Sequence, residues 1–129
     1  LFANKLKAIV ENSVSAFDAA GRECFYHGFM LGMIACFNPN GYTVESNQES
    51  GFGRFDLALI PDDVKRPAVI MEFKKAENEN KLASAAKQGL QQIVTKHYVQ
   101  AIKAKKIEKV FGYGISFCGK KIYVVNSKL

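Results

Sequence analysis

Phe55-Asp56-Leu57-Ala58-Leu59-Ile60, followed after a loop by Ala68-Val69-Ile70-Met71-Glu72-Phe73-Lys74, is the stretch that decides how this chain folds. Both runs are apolar at nearly every position and lack the alternation of a strand with one face in water. Such runs belong to interior strands covered on both faces. The loop 61–67 between them carries Pro and Asp, as turns do, so the two runs pair as a hairpin. With the loop centred on Val64, residue 58 faces 70 and residue 56 faces 72. Side chains alternate along a strand, which sets Asp56, Glu72 and Lys74 on one face of the sheet.

That arrangement needs a chemical reason. Two carboxylates side by side repel each other, and acids and lysines are rarely enclosed unless they are paired or coordinate something. A hard divalent cation such as Mg²⁺ resolves the conflict, because carboxylate oxygens are the ligands it prefers. The Lys74 ammonium adds positive charge where an attacking water and a phosphate oxygen would meet. The competing reading is a structural ion pair, Lys74 with Glu72 or Arg54 with one of the acids. The apolar flanks of both strands weigh against it.

Working outward, residues 4–18 and about 22–37 carry apolar side chains at helical spacing, and Asn38-Pro39-Asn40-Gly41 ends the second helix with strong turn chemistry. Residues 42–47, 55–60 and 68–73 read as strands. A long helix is expected from about 81 to 106, with Leu82, Ala86, Leu90, Ile93, Val94 and Ala101 as its apolar stripe. Strands at 110–117 and 121–126 close the chain through a tight turn at Cys118-Gly119-Lys120. The order α-α-β-β-β-α-β-β predicts an α/β domain in which a mixed central sheet is flanked by helices.

The 129 residues, 48% of them hydrophobic, suit a single domain over 1–129 with one core. The start at Leu1 rather than Met suggests a domain excised from a longer chain. No run approaches ~20 apolar residues, and no signal peptide is visible, so no membrane partner is expected and the expected compartment is the cytoplasm, or a target cell if the domain is a delivered effector. The three cysteines, Cys24, Cys36 and Cys118, form no CxxC pair, which speaks against a zinc site or a disulfide framework. The net charge of +6 favours a polyanionic partner.

The segment from Glu49 to Leu57, followed by Ile70-Met71-Glu72-Phe73-Lys74, resembles the PD-(D/E)XK nuclease superfamily. It is most similar to the branch found behind AAA-type ATPase modules. That branch carries a Glu-x-x-Tyr-His-Gly stretch on the preceding helix, here Glu23, Tyr26, His27 and Gly28. It also carries a Gln-Ile element and a Tyr on the following helix, here Gln92, Ile93 and Tyr98. The resemblance spans residues 22–125 and implies a restriction-endonuclease-like αβββαβ core. It also implies hydrolysis of a nucleic-acid phosphodiester, DNA more than RNA, with Mg²⁺ and with Mn²⁺ as a substitute. Asp56 and Glu72 would hold the metal, Glu23 would complete its shell, Lys74 would position or activate the water, and Gln92 would orient the site. Many nucleases of this superfamily work as homodimers, and further domains of a longer chain are also expected partners. The alternative is a catalytically inactive module of the same fold that binds nucleic acid or protein.

Three residues are weighed as secondary. His27 lies one helical turn after Glu23 and serves either as a base or as packing that fixes Glu23. Arg54 shares the side of Asp56 and either contacts a phosphate or holds the turn. Tyr98 enters through the resemblance alone. Arg54, Lys96, Lys103 and Lys106 are the candidate nucleic-acid contacts; the last two belong to a basic cluster with Lys105 and Lys109 at the end of the long helix, which also suits a solvated helix terminus.

Overall fold

The computed structural model describes residues 40–45, 57–95 and 98–129, together with residues 4, 7, 8, 28–30 and 32. The seven isolated residues are helical, inside the two helices expected at the N-terminal end; the rest of those helices lies outside the described residues.

Five strands form one sheet in the order β1 (Tyr42–Glu45), β2 (Leu57–Pro61), β3 (Ala68–Lys75), β4 (Val110–Cys118) and β5 (Lys121–Lys128). Each strand lies beside its sequence neighbour. Three pairings are antiparallel, as short connections require, and β3 with β4 is parallel. That one parallel pair follows from the long crossover between them, which must carry the chain back to the far end of the sheet. The crossover contains a 3-10 turn (Glu79–Lys81), helix α1 (Leu82–Thr95) and helix α2 (Tyr98–Lys103). The mixed sheet is the expected one.

The turn chemistry of the β2–β3 loop is local. The Asp63 carboxylate accepts the Lys65 N–H at 2.9 Å and its carbonyl accepts the Arg66 N–H at 2.9 Å. Arg66 then reaches to the edge strand, where its guanidinium stacks over the Tyr42 ring at 4.5 Å and donates to the Asn40 carbonyl at 2.9 Å. Gly41 makes room for this: its φ is +82°, and a Cβ there would stand 2.6 Å from Arg66 Nη1. At the other edge, Gly119 with φ +58° opens the two-residue turn between Cys118 and Lys121, which face each other. Left-handed backbone of this kind suits glycine.

Two details depart from the expected boundaries. Strand β3 continues past Phe73 to Lys75, so Lys74 sits within the ladder, opposite Ser116. The helix expected to reach Lys106 ends at Lys103. There the N–H groups of Lys105 and Lys106 bond back three residues, to the carbonyls of Ile102 and Lys103, and Lys106 turns left-handed at φ +69°. The tightening delivers Ile107 into the core, where it is fully enclosed. A straight helix would have carried that side chain away from the sheet.

The sheet has an apolar cluster on each face. One contains Met30, Leu57, Met71, Phe73, Ile115, Phe117 and Ile122, with Phe73 and Phe117 edge-to-face at 6.2 Å. The other contains Ala58, Ala68, Ile70, Ile93, Ile102, Ile107 and Val110, and so joins the sheet to α1 and α2. Among the described residues no helix is long and apolar enough to cross a membrane.

Candidate active site

The β2–β3 register is Leu57 with Met71, Ala58 with Ile70 and Leu59 with Val69, the pairing derived from the loop. Ala58 and Ile70 belong to the cluster under α1. Counting on by two along β3 puts Glu72 and then Lys74 on that same helix-covered face. Glu72 is 3% exposed. Its Oε2 is sealed from solvent and accepts no hydrogen bond among the described residues, although the residue as a whole does take part in an interaction. Lys74 is half-buried.

Helix α1 lies directly on the backbone around Glu72, in ordinary contact at Gly89 and in an approach at Gly114 that no side chain would allow. A Cβ on Gly89 would stand 3.4 Å from the Glu72 carbonyl oxygen, 3.4 Å from Lys74 Cγ and 3.6 Å from Glu72 Cγ. Across the ladder, Gly114 pairs with Glu72; a Cβ there would fall on the Ala86 carbonyl and 2.7 Å from the Leu90 nitrogen. The helix start is anchored one ladder step further on. Ser116, opposite Lys74 and fully buried, donates from Oγ to the Leu82 carbonyl at 2.6 Å. Gly89, Gly114 and Ser116 went unnoticed in the sequence. Their signal is the period-two run of small residues Gly112, Gly114 and Ser116 in β4, which marks the face on which a helix rests closely.

The other expected site residues fall into three groups. Gln92 is half-buried on α1, three residues after Gly89, and so lies on the helix side turned towards β3. Tyr98 is half-buried and packs against the cluster of Ile70 and Ile93. Lys103 and Lys106 are exposed at the opposite end of the sheet. The Lys109 carbonyl accepts the N–H of Ala68 at the very start of β3, six residues and about 20 Å from Lys74. Glu23, His27, Arg54, Asp56 and Lys96 lie outside the described residues.

Among the described residues no three His, Cys, Asp or Glu side chains gather as a metal cluster. What is described does fit a hard cation: an enclosed carboxylate with one oxygen not engaged by a hydrogen bond is oxygen chemistry of the kind such ions take. Free Cys118, half-buried at the end of β4, is the sole described cysteine.

The sheet order and its single parallel step through a helix are those of a restriction-endonuclease-like α/β domain. The chain belongs to the PD-(D/E)XK nuclease superfamily, whose family model matches residues 21–127. No curated protein matches it. Membership supports a nuclease-type function on a nucleic-acid substrate, in a superfamily that generally uses divalent metals.

Proposed function

We propose that the chain is a Mg²⁺-dependent nuclease that hydrolyses phosphodiester bonds of DNA, with Mn²⁺ able to replace Mg²⁺. One observation carries the reading: an enclosed carboxylate, Glu72, lies two residues before a half-buried lysine on an interior strand whose partner register is known. Continued by one step, the pairing of Leu57 with Met71 would bring Asp56 opposite Glu72. Asp56 and Glu72 would then hold the cation, and Glu23 from the preceding helix would complete its shell. The bound cation supplies charge stabilisation to the phosphate and to the departing 3′ oxygen.

The chain's own groups do the rest. The Lys74 ammonium, held by its stem beneath α1, orients the attacking water and offsets the negative charge of the phosphate. Burial of Glu72 keeps its carboxylate in one place, so no reorganisation is needed when charge develops. Gln92, from the helix side facing β3, orients the water or the carboxylates. His27, Arg54 and Tyr98 remain supporting candidates.

The test is incubation of the purified protein with plasmid, linear and single-stranded DNA, and with RNA, in Mg²⁺ or Mn²⁺. DNA cleavage is expected, lost on Asp56→Ala and on Lys74→Ala. Cleavage that survives either substitution contradicts the assignment. Binding without cleavage in any metal would instead identify an inactive module of the same fold.

A further inference from the structure

The lysines that adjoin the site in space are scattered along the chain. Strands β3 and β4 run parallel, so their C-terminal ends finish together: Lys74 faces Ser116, and the Ala76 N–H bonds the Phe117 carbonyl at 2.8 Å. Directly after Cys118 the chain turns at Gly119-Lys120, and Lys121 comes back opposite Cys118. Ile122 points into the cluster on the far face, so its neighbour Lys121 points to the α1 face, the face of Glu72 and Lys74. Lys81 reaches the same end by another route. It ends the 3-10 turn just before Leu82, whose carbonyl is bound by Ser116.

Lys81, Lys120 and Lys121 are all exposed. Two interstrand steps and two residues separate Lys121 from Lys74, about 12 Å between backbones. With Lys74 and Lys75, this end of the sheet carries, among the described residues, five lysines against Glu77 and Glu79. Lys103, Lys105, Lys106 and Lys109 form a comparable cluster, but at the other end of the sheet, about 20 Å from Lys74.

We propose that Lys81, Lys120 and Lys121 form the contact surface for the phosphodiester backbone of the nucleic acid whose scissile bond lies at Glu72 and Lys74. This rests on the nuclease reading and adds to it the side from which the strand enters. Three exposed ammonium groups, one on the 3-10 turn and two on a hairpin, give a charged rim without base recognition, so the contact is to backbone and independent of sequence. The remote cluster takes no part in holding the bond to be cut.

The experiment compares two charge-neutralised variants in binding, where no catalysis is required. One is Lys81→Gln, Lys120→Gln, Lys121→Gln; the other is Lys103→Gln, Lys105→Gln, Lys106→Gln, Lys109→Gln. Affinity for a short DNA duplex is measured in Ca²⁺ over a range of KCl, after unchanged Tm values confirm folding. Each lost phosphate contact flattens the slope of log K against log salt by roughly 0.9. The first variant is expected to flatten it by about 2 to 3 and the second to leave it at the wild-type value. An unchanged slope in the first variant, or a larger loss in the second, overturns the proposal. The outcomes also separate from those of the function: wild-type cleavage with an unaltered slope in the first variant sinks this surface alone, whereas absence of cleavage in every divalent metal sinks the nuclease reading.

Discussion

Strand β3 presents two different faces to two different neighbours. Its odd-numbered residues Val69, Met71 and Phe73 all enter one apolar cluster, which continues without interruption into Ile115, Phe117 and Ile122. Its even-numbered residues begin the same way, with Ala68 and Ile70 packed under α1 and α2, and then change character to Glu72 and Lys74. Backbone, burial and depth in the sheet are nearly the same on both sides. The difference teaches that the carboxylate is not enclosed for lack of an apolar alternative, since the adjoining positions show that this strand accommodates Met and Phe. A charge placed there at a desolvation cost suits the metal-holding role proposed for Glu72, and α1, resting on Gly114, packs closely around it.

The largest asymmetry between the faces should appear as chemistry against stability. Glu72→Gln is expected to reduce cleavage by ~10³-fold, about 4 kcal/mol of transition-state stabilisation, while thermal melting stays level or rises because a buried charge has gone. A fall in Tm with proportionate loss of activity would make Glu72 a structural residue and erase the contrast. On the other face, Phe73→Ala should cost ~3–4 kcal/mol in denaturant unfolding, through lost burial and the edge-to-face contact with Phe117. Activity per folded molecule should be retained. If Phe73→Ala abolishes cleavage while folding stays intact, the faces are not separable.

Smaller effects sharpen the role of the helix. Gly114→Ala places a methyl on the Ala86 carbonyl, so either α1 or β4 must shift. About 1–3 kcal/mol of stability should be lost, as overpacking typically costs, with a fall in kcat because α1 also borders Glu72 and Lys74. Stability loss with unchanged kcat would mean that the position of α1 does not matter to the reaction. Ser116→Ala removes a single buried hydrogen bond to Leu82 and should cost ~1 kcal/mol, with Ser116→Thr restoring part of it. No stability change on Ser116→Ala would show that the helix start is held by packing alone.

These expectations also mark how far the residues could be read in advance. The hairpin register was legible because Pro61 to Pro67 contains its own turn chemistry at Asp63 and because the apolar runs on either side have sharp charged ends. The mixed sheet was legible because a crossover of that length between two strand-like runs requires a parallel pair. The helix end at Lys103 was not, since Ala104, Lys105 and Lys106 are good helix formers and only the need to bring Ile107 into the core turns the chain there. Of the site, Glu72 and Lys74 stood out by being charged within an apolar run. Gly89, Gly114 and Ser116 did not, because their importance lies in how closely α1 approaches β3 and β4. The lysines of the hairpin and the 3-10 turn escaped notice for a related reason: they are distant in sequence, whereas the conspicuous cluster from Lys103 to Lys109 is contiguous and lies at the far end of the sheet.

The central claim concerns a cation between two facing carboxylates, and Mn²⁺ binding measured by calorimetry on the wild type, Asp56→Asn and Glu72→Gln tests it without recourse to catalysis. The account predicts that the wild type binds the ion and that either substitution removes most of the affinity, with folding retained. Undiminished binding in either variant would contradict it.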